Sequence, residues 1–337
     1  LNRTVPAWLR ALLAAWLAAM AVDAWCGESF SEGFQESPLE RGWEVVGDAT
    51  LFQWDAAAGG LGVTWDSSRS NSFFLRRLAA PVTPSDDFAF GFDLTLSRMD
   101  VGTSPGKSGT FQIALGLINV ADAMDPGFQR GVFLRSRNLV EWTWFAAQPD
   151  GAIAASLSPA IVPADGRLPW GYSDSFVQLE AGVRYGFGLR YTSTNRTLRI
   201  AMTADGAVLP DPAPVVLPRS FTGFRVDALS IHSYSDAGQD PRYAGSVHAV
   251  GIVDDVWWEG PGAAVGRVRL EGQGSARRVV TATRSGWVYW LEGSEDLKGW
   301  QRIGAEVTGT AGDVAFEDPG TGGGGEHRFY RVGARLP

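Results

Sequence analysis

Over residues 87–97 the chain alternates strictly. Phe88, Phe90, Phe92, Leu94 and Leu96 fall on one side, and Ala89, Gly91, Asp93 and Thr95 on the other. A period of two over that length predicts a strand with one face against a core. The same division recurs at 111–117, where Phe111, Ile113, Leu115 and Leu117 oppose Gln112, Ala114 and Gly116. It returns at 183–191, where Val183, Tyr185, Phe187, Leu189 and Tyr191 oppose Arg184, Gly186, Gly188 and Arg190. Runs at 138–145, 196–203, 224–233 and 246–258 read as further strands, separated by Gly, Pro, Asp and Ser. No long stretch carries a helical period. The expectation is an all-β fold: a large jelly-roll β-sandwich over residues 28–259. Several outward faces carry small residues, which predicts a shallow concave face where something can approach the backbone closely.

The pattern breaks at Glu259-Gly260-Pro261-Gly262-Ala263-Ala264, a composition suited to a linker over 260–265. Short strands resume around Val279, at 287–291 and at 329–332, predicting a small fibronectin-like β-sandwich over 266–337. At the other end, Arg3 and Arg10 precede the apolar run 11–22 and the small-residue pattern Val22-Asp23-Ala24. That is the form of a helical signal peptide over 1–24, cut after Ala24, and it predicts a secreted, periplasmic or cell-surface protein. No later apolar run approaches the roughly 20 residues that a membrane helix needs. Cys26 is the single cysteine, so no intramolecular disulfide is expected.

Length and charge narrow the partners. A chain of 337 residues holds two folded units, and its 42 glycines suit many turns. A net charge of −8, with no basic stripe, argues against nucleic acid as a partner.

Particular stretches also carry a resemblance. Phe30-Ser31-Glu32-Gly33-Phe34, Gly42-Trp43-Glu44-Val45-Val46-Gly47-Asp48, Val63-Thr64-Trp65-Asp66-Ser67-Ser68 and Val253-Asp254-Asp255-Val256 make residues 28–259 resemble the concanavalin A-like lectin/glucanase superfamily. That resemblance implies a sandwich but no single ligand, because the superfamily includes lectins, adhesion modules, hydrolases and lyases. The segment 289–297 with Trp300, Asp318-Pro319 and Arg328-Phe329-Tyr330-Arg331-Val332 looks like accessory β-modules of secreted planctomycete and verrucomicrobial proteins. This implies surface placement and contacts with surface proteins, and no chemistry.

Catalytic signals are sparse. Sugar-cleaving members of the superfamily carry Glu-x-Asp-x-x-Glu on one strand, and no such strand occurs here. An enzymatic site would therefore draw Glu141, Asp93 and Glu180 from separate strands. The histidines are His232, His248 and His327, with no paired zinc spacing, and His232 reads as a strand residue. Gly102-Thr103-Ser104-Pro105-Gly106-Lys107-Ser108 is one residue short of a phosphate-binding loop and reads as a plain loop. A structural Ca2+ ion is the metal to look for, with Asp254 and Asp255 as first candidates; on a regular strand they would point to opposite faces, so that at most one would ligate.

Aromatic residues carry the positive reading. A Trp face offers the C–H surface of a pyranose a stacking platform, with polar neighbours for the hydroxyls. Trp142 and Trp144 share a stripe with Val140 and read as core. Trp65-Asp66 with Arg69 and Asn71, and Trp170-Gly171-Tyr172, lie in polar, glycine-containing segments and are the expected ligand contacts. The function expected is an exported, non-catalytic carbohydrate-recognition or adhesion protein whose partner is a polysaccharide or surface glycan. A glycan hydrolase or lyase, and a structural cell-surface or matrix protein, are the alternatives.

Overall fold

The computed structural model of the chain describes residues 27–336 apart from 58, 102–111, 129–134, 148–153, 158, 167–176, 235–246, 272–276 and 320–327. The expected leader over 1–24, the loop 102–108, Trp170, Tyr172 and His327 lie outside the described residues. The chain divides into two units, Leu1–Gly260 and Pro261–Pro337.

Nine strands of seven or more residues form the body of the first unit. They are β1 (Gly60–Asp66), β2 (Ser72–Val82), β3 (Phe88–Val101), β4 (Gln112–Ile118), β5 (Leu139–Phe145), β6 (Arg184–Thr192), β7 (Thr197–Ala204), β8 (Val226–Ser233) and β9 (Val247–Pro261). They assemble into two antiparallel sheets. Sheet I runs Ala207–Val208, β7, β6, β3, β9, β1, Phe52–Asp55, and Gly27–Glu32 also pairs with β9. Sheet II runs Ala160–Val162, β5, β4, β8, β2, Trp43–Val46. This is the all-β sandwich that the alternation predicts.

The core lies between the two sheets. Phe88, Phe90, Phe92, Leu94 and Leu96 of β3 are all buried, as are Val140, Trp142 and Trp144 of β5. Trp142 of sheet II sits 4.5 Å from the Phe187 ring and 5.3 Å from Phe92, both from sheet I, so one indole ties the layers together. Burying a side chain of that size contributes roughly 2–3 kcal/mol. β2 escapes the alternating pattern because Phe73, Phe74 and Leu75 are consecutive and all buried. Phe74 faces the core with Trp43 stacked on it at 5.1 Å, while Phe73 pairs with His232 on the outer face.

The second unit holds two three-stranded sheets. One orders Val268–Glu271, Arg277–Ala282 and Asp313–Asp318; the other orders Gln301–Thr308, Val288–Ser294 and Phe329–Arg335. Val279, Tyr289, Leu291, Ile303 and Phe316 are buried in it. Three tryptophans carry guanidinium groups over their rings, Arg284 over Trp287 at 4.9 Å, Arg302 over Trp290 at 4.7 Å and Arg331 over Trp300 at 4.3 Å.

Candidate functional site

The outer face of sheet II is assembled by register. Thr143, Ala114, His232 and Phe73 form one row across β5, β4, β8 and β2, and Glu141, Gly116, Ser230 and Leu75 form the next. β4 contributes only Ala114 and Gly116 to these rows, so the side chains from β5 and β8 can meet above it. They do: Glu141 Oε1 lies 3.0 Å from His232 Nδ1, and the Tyr234 hydroxyl donates a hydrogen bond to the same oxygen. At Gly116, φ is +157° and a Cβ would fall 2.3 Å from the Val140 carbonyl oxygen, so glycine is required there.

This trio is buried. Glu141 and His232 are 0% exposed and Tyr234 is 3% exposed, although they stand on the face directed away from the core. Among the described residues neither ring nitrogen of His232 has an aligned hydrogen bond: Nδ1 lies against Glu141, and Nε2 has no partner. An unsatisfied buried polar atom costs about 1–3 kcal/mol, so its retention calls for an explanation beyond packing. A carboxylate, an imidazole and a phenol in contact are able to move protons.

A cavity of about 380 Å³ opens beside the trio, within the size range of small-ligand sites. Phe73, Phe128, Ser70, Asn71, Met124 and Asp125 are among its lining residues. Phe73 packs edge-on against His232 at 5.7 Å and against Tyr234 at 5.9 Å, and Phe128 lies 6.2 Å from Tyr234. Two local devices fix the walls. The short helix Val120–Ala123 is capped by the Asn119 side chain, which accepts from Asp122 N–H, and Asp227 Oδ1 accepts from Val120 N–H at 2.8 Å. Asp122 in turn accepts from Arg137 and from Asn138, each at 2.6 Å. On the other wall, Asp66 turns the chain by accepting from Ser68 N–H at 3.0 Å, Arg69 pairs with Asp48 at 3.3 Å, and Asn71 Nδ2 donates to the Phe128 carbonyl at 3.4 Å.

Of the expected ligand contacts, Asn71 lines this cavity, and Asp66 and Arg69 shape the turn leading into it. Trp65 does not reach it. β1 alternates, so Leu61, Val63 and Trp65 all face the core, and Trp65 is 3% exposed opposite Ala249. No face of that indole is left for a ligand.

The three carboxylates considered for catalysis do not converge. Glu141 points outward from sheet II and Asp93 outward from sheet I, with the whole core between them, and Glu180 is exposed in the turn before β6. His232, read from sequence as a strand residue, is one. Its meeting with Glu141 depends on register across β4, which no short motif reveals.

Asp254 and Asp255 also depart from expectation. A bulge between Asp254 and Trp257, with Asp255 at φ +44°, turns both carboxylates to the same outer face of sheet I. The positive group they hold is Arg184, whose Nη2 lies 2.8 Å from Asp255 and 3.5 Å from Asp254, while its Nε donates to Asp93 at 2.6 Å. Burial pushes the Asp254 carboxyl up to about 6, and the neighbouring Asp255 adds to that rise. For Arg184, burial pulls the guanidinium down, but Asp93, Asp255 and Asp254 outweigh it and hold it raised. Among the described residues no group of three or more His, Cys, Asp or Glu side chains is arranged to hold a metal ion.

No family model matches the chain, and no curated protein matches it. Solved structures do resemble it. The carbohydrate recognition domain of Emp47p aligns over 72% of this chain and 100% of its own, at 11% identity and a TM-score of 0.42. Lectin II from Ulex europaeus aligns over 69% and 98%, at 14% identity and 0.42. The alginate lyase Aly36B aligns over 68% and 96%, at 13% identity and 0.41. Likenesses at this level assign no residue and no activity to this chain.

Proposed function

We propose that this chain is an exported glycan-recognition protein that seats saccharide in the cavity on the outer face of sheet II. The observation that carries this reading is the cavity wall itself. Buried Phe73 and Phe128 back the cavity, its exposed Met124 and Pro126 supply apolar contact for sugar C–H groups, and Asn71, Ser70 and Asp125 supply hydrogen-bonding groups for hydroxyls. A glycan array probed with the full chain, with and without calcium, tests it. Binding should appear for the wild type and fall on the same glycans for Asn71→Ala and Met124→Ala. Equal signals for all three proteins would contradict the placement.

A further inference from the structure

On the opposite outer face, sheet I carries a second arrangement that the cavity does not use. Gly188, Gly91 and Trp257 share one row across β6, β3 and β9. The Trp257 indole lies over this row. A Cβ at Gly91 would fall 2.4 Å from its Nε1, and one at Gly188 would fall 3.6 Å from its Cζ2. The ring therefore rests against bare backbone, because any side chain at Gly91 would displace it. Trp257 is half-buried, and among the described residues no ring or guanidinium stacks on it. Trp258, next in the chain, is 0% exposed in the core. The bulge after Asp254 sets this division.

Two ionic crossings bracket the ring: Asp93 and Glu259 stand two residues, about 7 Å, along their strands from it, and Arg184 reaches Asp93 from four residues along β6. On one side Arg184 joins Asp93, Asp254 and Asp255. On the other, Arg190 Nη2 reaches Glu259 at 3.8 Å across Ala89. Four carboxylates thus stand with three guanidiniums, since Arg199 lies directly opposite Arg190 on the same face. The carboxylates oppose an anion, and the near balance of charge leaves no strong attraction for an organic cation. What remains is a neutral ligand with an apolar face for the ring and hydroxyls at its rim.

We infer that Trp257 is a stacking platform for a neutral pyranose residue of a polysaccharide, flanked by Asp93 and Arg184 on one side and Glu259 and Arg190 on the other. This inference rests on the reading of the chain as a glycan binder, but on none of the cavity residues. It gives the sandwich a second contact, on the face opposite the first, so that one protein can join two chains.

The test is protection of Trp257 from N-bromosuccinimide oxidation in the full chain, mapped by peptide mass spectrometry. The probes are laminarin, arabinoxylan and galactomannan, with alginate and choline for comparison. The expected result is protection of Trp257 by at least one neutral polysaccharide, unchanged in Asn71→Ala and Met124→Ala. Trp257→Ala should weaken binding of that polysaccharide at least tenfold with an unchanged unfolding midpoint, and Trp257→Phe should recover part of it. Equal oxidation with every probe, or protection by alginate or choline alone, overturns the inference. Binding lost only in the cavity variants overturns it while leaving the proposed function standing; no binding to any saccharide defeats both.

Discussion

At the scale of single residues, the outer face of sheet II concentrates the chemistry. Glu141 holds two partners through one oxygen, and all three groups are withdrawn from water. Removing one member breaks these contacts in a site closed to water, a loss of about 1–3 kcal/mol. Glu141→Ala and His232→Ala should each lower stability to urea on that scale. The double variant should cost less than their sum, since the interaction is lost only once. Strict additivity would show that the contact contributes nothing.

Asp254 supplies a pH test on the other face. Its carboxyl is raised by burial to about 6 in the folded protein, above the ordinary 3.8. The folded state therefore binds the proton more tightly than the unfolded chain, and stability falls as pH rises from about 4 to about 6 and then levels off. The full shift is worth roughly 3 kcal/mol, and solvent access reduces it to about 1–2 kcal/mol. Urea midpoints measured from pH 4 to 7.5 should show this decline in the wild type and a flatter profile in Asp254→Asn. Parallel profiles for the two proteins would refute the assignment.

At the scale of elements, strict alternation made β3, β4, β6 and β5 legible in the sequence, and their inward residues are the core. β2 was not legible, because Phe73, Phe74 and Leu75 are buried on both faces of the strand and leave no period of two. Trp65 misled for a related reason. The polar turn after it, Asp66 to Asn71, hides the fact that β1 still has the period of the core at that position. Trp257 was equally hidden: which of two adjacent tryptophans faces outward depends on a bulge with Asp255 at positive φ, and the string Asp-Asp-Val-Trp-Trp does not encode where the register slips. The cavity wall was half visible, since Asn71 was a candidate while Phe128 and the 120–123 helix come to it only through tertiary contacts. Trp142 offers the element-scale prediction. It is the indole between the sheets, so Trp142→Ala should cost about 3–5 kcal/mol in urea unfolding. A loss below about 1 kcal/mol would mean that the layers are held together elsewhere.

At the scale of the whole molecule, the first unit presents two different outer faces on one core. Sheet II offers a cavity backed by a buried acid–base trio, and sheet I offers an indole between ionic crossings. The second unit brings neither arrangement among its described residues; its Trp287, Trp290 and Trp300 are capped by Arg284, Arg302 and Arg331. In the proposed function saccharide contact falls to the sandwich, and the cavity is where that proposal is most exposed to test. Calorimetric titration of the full chain with the best oligosaccharide from an array, repeated on Met124→Ala, whose side chain is exposed on the cavity wall, measures it directly. The account predicts that affinity falls at least tenfold in the variant at an unchanged unfolding midpoint. An unchanged Kd in a folded Met124→Ala protein would contradict it.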